Sequence, residues 1–144
     1  MKKITITLIS LSLGGAIYIL WRDDTLLMFH WFSSLSISEN ILIARSKMAP
    51  IKEILPSYII YTLPTTLWLF SGLMTFDLIW REDSKNKNLW LFVFFIFAIG
   101  SELLQAVKIV PGTFDSLDLL SMAVAGGVAI LIINNSNRKT TNEH

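Results

Sequence analysis

The residues of this chain best suited to chemistry fall in one stretch, Gly100 to Gly127. Glu102 and Gln105 stand three positions apart, and so do Asp115 and Asp118. On a helix such a pair shares one face. Between the pairs, Pro111-Gly112 is a tight-turn signal. Two helices joined by that turn would run antiparallel and bring Glu102, Gln105, Asp115 and Asp118 to one level. Carboxylates gathered in this way can split their pKa values and act as acid and base. They can also hold a hard cation through oxygen ligands, or bind a lipid headgroup or other polar ligand. A purely structural role is equally open. Acidic residues are favoured at helix N-termini, so Asp115 or Asp118 could cap the next helix, while Glu102 could pair with Lys108 or Arg45. The spacing selects none of these, and whether any residue is catalytic stays open.

Other candidates are weaker. His30 stands among Met28, Phe29, Trp31 and Phe32, which reads as a polar tip at a headgroup boundary. Asp77 precedes Arg81 by four positions, the spacing of a helical ion pair. No G-x-S-x-G, H-E-x-x-H, P-loop or dinucleotide fingerprint occurs. The chain has no cysteine, which removes disulfides, thiolate metal sites and cysteine nucleophiles. No cofactor is implied, and a net charge of +1 gives no sign of a nucleic-acid partner.

The elements that must position these residues are membrane helices. Of the 144 residues, 53% are apolar and 16% charged, against about 25% charged in a soluble domain; mean hydropathy is +0.56. Four segments approach the ~17–25 apolar residues that cross a hydrocarbon core. They are 4–21, 64–80, 89–107 and 117–133. Backbone groups in lipid need internal partners, so these are helices. The expected fold is therefore all-α, a single membrane domain over 1–144 with four transmembrane helices. Lys2-Lys3 before the first run resembles a signal peptide, but 18 residues from Ile4 to Trp21 exceed the usual ~7–15. No A-x-A-like site follows, so the run reads as an uncleaved anchor.

The second segment contains two prolines, Pro56 and Pro64. Either one helix starts at Ser57 and kinks at Pro64, or a helix starts afresh near Pro64, which the position of Pro64 in a first turn favours. The segment 24–55 is too short to span and too apolar to be a free loop. Asp24 could cap an aromatic-rich interfacial helix from Thr25 through Leu35, followed by a short one from about Ser38. These helices would cover the bundle or form a lid. The polar tail 134–144 is expected to fray. Small residues at Ser10 and Gly14, at Ser121, Ala125 and Ala129, and at Ala123 and Gly127 have the spacing that lets membrane helices approach closely.

Lys/Arg placement orients the bundle. Lys2, Lys3, Arg81, Lys85, Lys87, Arg138 and Lys139 fall on one side, against Arg22, Arg45, Lys47, Lys52 and Lys108 on the other. Seven against five places both termini in the cytoplasm and the carboxylates on the outer face.

The stretch Glu102-Leu-Leu-Gln105, a short turn, Phe114-Asp115-x-x-Asp118 and Gly126-Gly127 resembles the VanZ-like family of small bacterial membrane proteins. The L-P-x-x-L-W run at Leu63–Trp68 is similar as well, and the resemblance extends over Leu63–Ile133. The chain departs from the family pattern at Thr65, where Asp is expected, at Pro111-Gly112-Thr113, where a basic residue is usual, and near Met122, where Asn is usual. The resemblance implies a multi-pass protein of the bacterial inner membrane with a place in the cell envelope, and no particular reaction. Three functions remain open. One is a non-enzymatic protein binding a headgroup, an envelope precursor or a partner, towards which the reading leans. The others are a small enzyme acting on a lipid-linked substrate and an accessory subunit of a larger membrane complex.

Overall fold

The computed structural model describes residues 2–23, 27–110 and 114–141, with side chains at 27 and 137–141 excepted. Every regular element among them is a helix. They are α1 (Lys2–Trp21), α2 (Leu27–Ser34), α3 (Ser38–Lys52), α4 (Ser57–Tyr61), α5 (Leu63–Ile79), α6 (Ser84–Ala106) and α7 (Ser116–Thr141). α1, α6 and the stretch Ser116–Ser136 of α7 are long and apolar enough to cross a membrane. α5 has 17 residues and is shorter than these three.

α5 is the hub, packing against α1, α6 and α7. Leu69, Leu73 and Met74 of α5 meet Met122, Ala129 and Ile133 of α7 in the buried core. Close approach depends on small residues. A Cβ added at Gly14 would lie 2.9 Å from the Trp68 ring and 3.2 Å from the Pro64 carbonyl oxygen, so α1 and α5 meet almost backbone to backbone. On α7, Ala125 and Ala129 are buried and the Ser121 hydroxyl accepts from Thr66 Oγ1 at 2.8 Å. That stripe faces α5 as its spacing predicts. The parallel stripe does not: Ala123 and Gly127 are exposed, and nothing lies near a Cβ added at Gly127. Gly126 is the packed glycine, with the Phe95 ring of α6 against it.

Both expectations for the second segment hold in part. The chain is helical from Ser57, yet it breaks at Thr62 and resumes at Leu63 with Pro64 in the first turn of α5. Thr62 keeps helical dihedrals and its carbonyl accepts from Thr66 N at 3.2 Å. Pro64 removes one backbone donor at this joint. α6 starts at Ser84, five residues before the expected Leu89, because Asp83 Oδ1 accepts from Asn86 N at 3.0 Å and caps the helix. That hydrogen bond holds the Asp83 carboxyl below its ordinary pKa. α7 continues to Thr141, so residues 134–141 are helical where a frayed tail was expected.

The segment between α1 and α4 holds two helices. The proposed Asp24 cap and the start at Thr25 lie outside the described residues. α2 ends in a Schellman arrangement with Ser36 at φ 58°, Ile37 N donating to Phe32 O at 3.1 Å. α3 runs for 15 residues and docks on the end of α1. Arg45 donates to the carbonyls of Ile19 at 2.7 Å and Arg22 at 2.8 Å, satisfying acceptors that a helix end leaves unpaired. Its guanidinium also stacks 4.8 Å over Phe29, which ties α2 to the same point. Trp21 Nε1 adds a bond to Met48 O at 3.0 Å.

Candidate functional site

α6 stops where its C-terminus forms a second Schellman arrangement. Ile109 N donates to Leu104 O, and Lys108 N to Gln105 O, both at 3.0 Å, with Lys108 left-handed at φ 59°. The helix thus ends before the expected Pro111-Gly112 turn, which lies outside the described residues. Glu102, in the last turn of α6, is buried at 3% exposure. Its Oε1 accepts from the amide of Asp115 at 3.1 Å, directly ahead of α7.

Asp115 is the cap of α7. Its Oδ1 accepts from Leu117 N at 2.9 Å, and its carbonyl accepts from Asp118 N at 3.1 Å. In a capping box, the acidic residue three positions on, here Asp118, would reach back to the Asp115 amide. Glu102 holds that amide instead. Asp118 Oδ1 is consequently buried with no hydrogen-bond partner among the described residues. Both aspartates are near enough to act on Glu102 electrostatically.

The structure therefore brings Glu102, Asp115 and Asp118 together. Gln105 does not join them: its carbonyl accepts from Lys108 N at the helix end and its side chain makes no hydrogen bond among the described residues. Neither basic residue considered as a partner of Glu102 serves as one. Arg45 is committed to α1, and the ion pairs among the described residues lie elsewhere. No three Asp, Glu or His side chains among the described residues converge closely enough to hold a metal ion.

Two cavities adjoin the acidic end. A small one of about 80 Å³ lies beside Asp115, walled by Ser57, Tyr58, Tyr61, Thr62 and Leu117. A groove of about 710 Å³ runs over α5 between α1 and α7, from Tyr58 and Leu117 down to Ile6 and Val128. The two share Tyr58, Thr62 and Leu117 in their walls. The groove is almost wholly apolar, relieved by the hydroxyls of Ser10, Thr62, Thr66 and Ser121. Nearby, Arg22 stacks over Tyr18 at 5.3 Å and Tyr61 at 5.1 Å, fixing one wall.

Sequence reasoning missed a charged cluster at the opposite end. The four-residue spacing predicts a pair between Asp77 and Arg81. Instead Asp77 Oδ2 pairs with Lys3 at 2.7 Å and its Oδ1 lies 3.6 Å from Lys87. Asp77 faces the bundle interior at 2% exposure, whereas Arg81 is exposed. The available signal was an aspartate inside an apolar helix, which demands an interior partner. His30 is exposed on α2, away from any charged partner among the described residues.

The fold and site define an all-helical chain with three membrane-length helices and an acidic cluster at one bundle end. No protein-family model, no curated protein and no solved structure matches it.

Proposed function

We propose that this chain is a four-helix protein of the bacterial inner membrane that binds an amphiphilic ligand, its polar head at the carboxylate end and its apolar tail in the groove over α5. The observation that carries this reading is the shared wall. A small cavity beside Asp115, walled largely by hydroxyl-bearing side chains, abuts a long apolar groove, and together they have the profile of a lipid or lipid-linked envelope precursor. The carboxylates have no basic partner among the described residues, so the head would carry an amine or several hydroxyl donors. α5 joins the three longer helices as a fourth span, because α4 extends it by a turn towards the acidic end.

Charge placement supports both termini in the cytoplasm. Lys2, Lys3, Lys85 and Lys87 gather at the end opposite the carboxylates. On the acidic side Arg22 and Arg45 are held by aromatic rings and helix-end carbonyls. The motif resemblance makes the chain a VanZ-like envelope protein on this reading. An enzyme acting on a lipid-linked substrate would use the same carboxylates as acid, base or cation ligands, and no three Asp, Glu or His side chains among the described residues converge to hold a cation. An accessory-subunit role is favoured by one observation, the exposed apolar face of α6 at Phe92, Ile96 and Phe97.

Native mass spectrometry of gently extracted protein tests the reading. Wild type should retain an amphiphile that Asp115→Asn and Glu102→Gln lose, with both variants still folded. Retention unchanged in both variants, or no bound amphiphile in wild type, would overturn it.

A further inference from the structure

We propose a second site, for an anionic phospholipid, at the basic end of the bundle between α6 and α7. Two lysines share one aspartate there, so the Lys3, Asp77 and Lys87 cluster carries one positive charge in excess. Lys3 takes the short contact at 2.7 Å. Lys87 stands 3.6 Å from the other oxygen and makes no hydrogen bond among the described residues, although its side chain is only 6% exposed. An ammonium group has three donors, and beyond the 3.6 Å contact with Asp77 none is engaged among the described residues.

Lys87 lines a cavity of about 290 Å³. Its polar residues, Lys87, Asn88 and Asn134, lie together, at the start of the apolar part of α6 and the end of that of α7. Phe92, Phe95 and Ile130 line it one to two turns deeper. Leu73 forms its floor, one turn from Asp77 on α5. A cation and two amides above apolar walls fit a phosphate group carrying acyl chains. A basic pocket between membrane helices is a recognised form of headgroup site. The apolar depth favours a lipid over an acidic peptide, which would leave backbone groups unpaired there. The site is separate from the carboxylate end and does not rest on the ligand proposed for it.

The test is lipid retention by the full chain in a neutral detergent, with phosphatidylglycerol, phosphatidylcholine and inorganic phosphate as probes. Wild type and Lys87→Arg should retain phosphatidylglycerol over phosphatidylcholine. Lys87→Gln should cut that preference about fivefold, the scale of one basic residue at an anionic surface, and Asp77 keeps its Lys3 partner in this variant. Should Lys87→Gln fold poorly, Asn134→Leu replaces it, since it fills the cavity without touching the ion pairs and should lower phosphatidylglycerol retention to the same degree. Equal retention of the two lipids, or a preference untouched by the folded variant, would overturn the proposal. So would displacement of phosphatidylglycerol by millimolar inorganic phosphate, which would assign the site to the free ion, or retention of an acidic peptide in place of lipid.

Discussion

Replacing Asp77 with Asn should destabilise the bundle more than any other single loss of charge. The side chains of Asp77 and Lys87 are 3% and 6% exposed, and Lys3 is 22% exposed. Asn keeps the shape and removes the anion, leaving two ammonium groups facing one amide. Lys3 lies at the start of α1 and can extend its stem to water. Lys87 cannot do so without leaving the α5–α6 seam, so the cost falls on it. Removing one partner of a buried pair costs about 3–5 kcal/mol, on the order of 10 °C in unfolding midpoint for a chain of this size. Lys87→Met alone leaves the Lys3–Asp77 contact intact and should cost about 1 kcal/mol, a modest hydrophobic replacement of a long-range ion pair. Adding Lys87→Met to Asp77→Asn removes the orphaned cation and should recover at least about 2 kcal/mol, a coupling typical of residues in contact. The assay is the monodisperse fraction left after heating in detergent, read by size exclusion. If the double variant is no more stable than Asp77→Asn, or Lys87→Met alone is as damaging, the reasoning is wrong.

Gly126→Leu should cut folded yield sharply, because Phe95 occupies the space, while Gly127→Leu should leave it nearly unchanged; similar yields would refute the assignment of packed faces. Arg45→Ala should raise amide hydrogen exchange across 38–52, since bonds to the carbonyls of Ile19 in α1 and Arg22 just past it are lost, at about 1.5–3 kcal/mol for charge-assisted bonds of this kind. Single cysteines should be labelled by an impermeant reagent in intact cells at Ile109 and shielded at Asn86, both at helix ends; the reverse pattern would invert the orientation. The Asp83 carboxyl has a lowered pKa in the folded chain, so its cap supports α6 above the ordinary carboxylate range and is lost as pH falls below it. The protection factor of the Asn86 amide should fall over that window, and the pH step should be absent in Asp83→Asn.

Much of this architecture was legible because lipid imposes strict rules. The apolar runs Ile4–Trp21 and Leu117–Ile133 sit within membrane-length helices, and Leu89–Val107 overruns the third by one residue. Two i,i+3 polar pairs about a turn were enough to bring Glu102 to Asp115. Spacing along one helix could not show the partners of Asp77, because Lys3 is 74 positions away and is selected by the packing of α1 on α5. Nor could it show that α6 begins at Ser84, since Asp83 is one polar residue among several in that loop and only its geometry makes it a cap. Gln105 shared a face with Glu102 as expected, but the Schellman ending engages its carbonyl and leaves its side chain outside the cluster. The four-residue repeat at Ala123 and Gly127 marks a stripe but not whether it faces a neighbour, and it is Gly126 that meets Phe95.

The most direct test of ligand binding at the acidic end is photo-crosslinking from Leu117, which lines both the small cavity beside Asp115 and the apolar groove. A photoreactive residue there, in the native membrane, should capture one amphiphile enriched well above its bulk abundance. The same residue at Phe97, on the exposed face of α6 at 73% exposure, should capture lipids in bulk proportion. Identical capture at the two positions, or capture of only a partner protein at Leu117, would contradict the account.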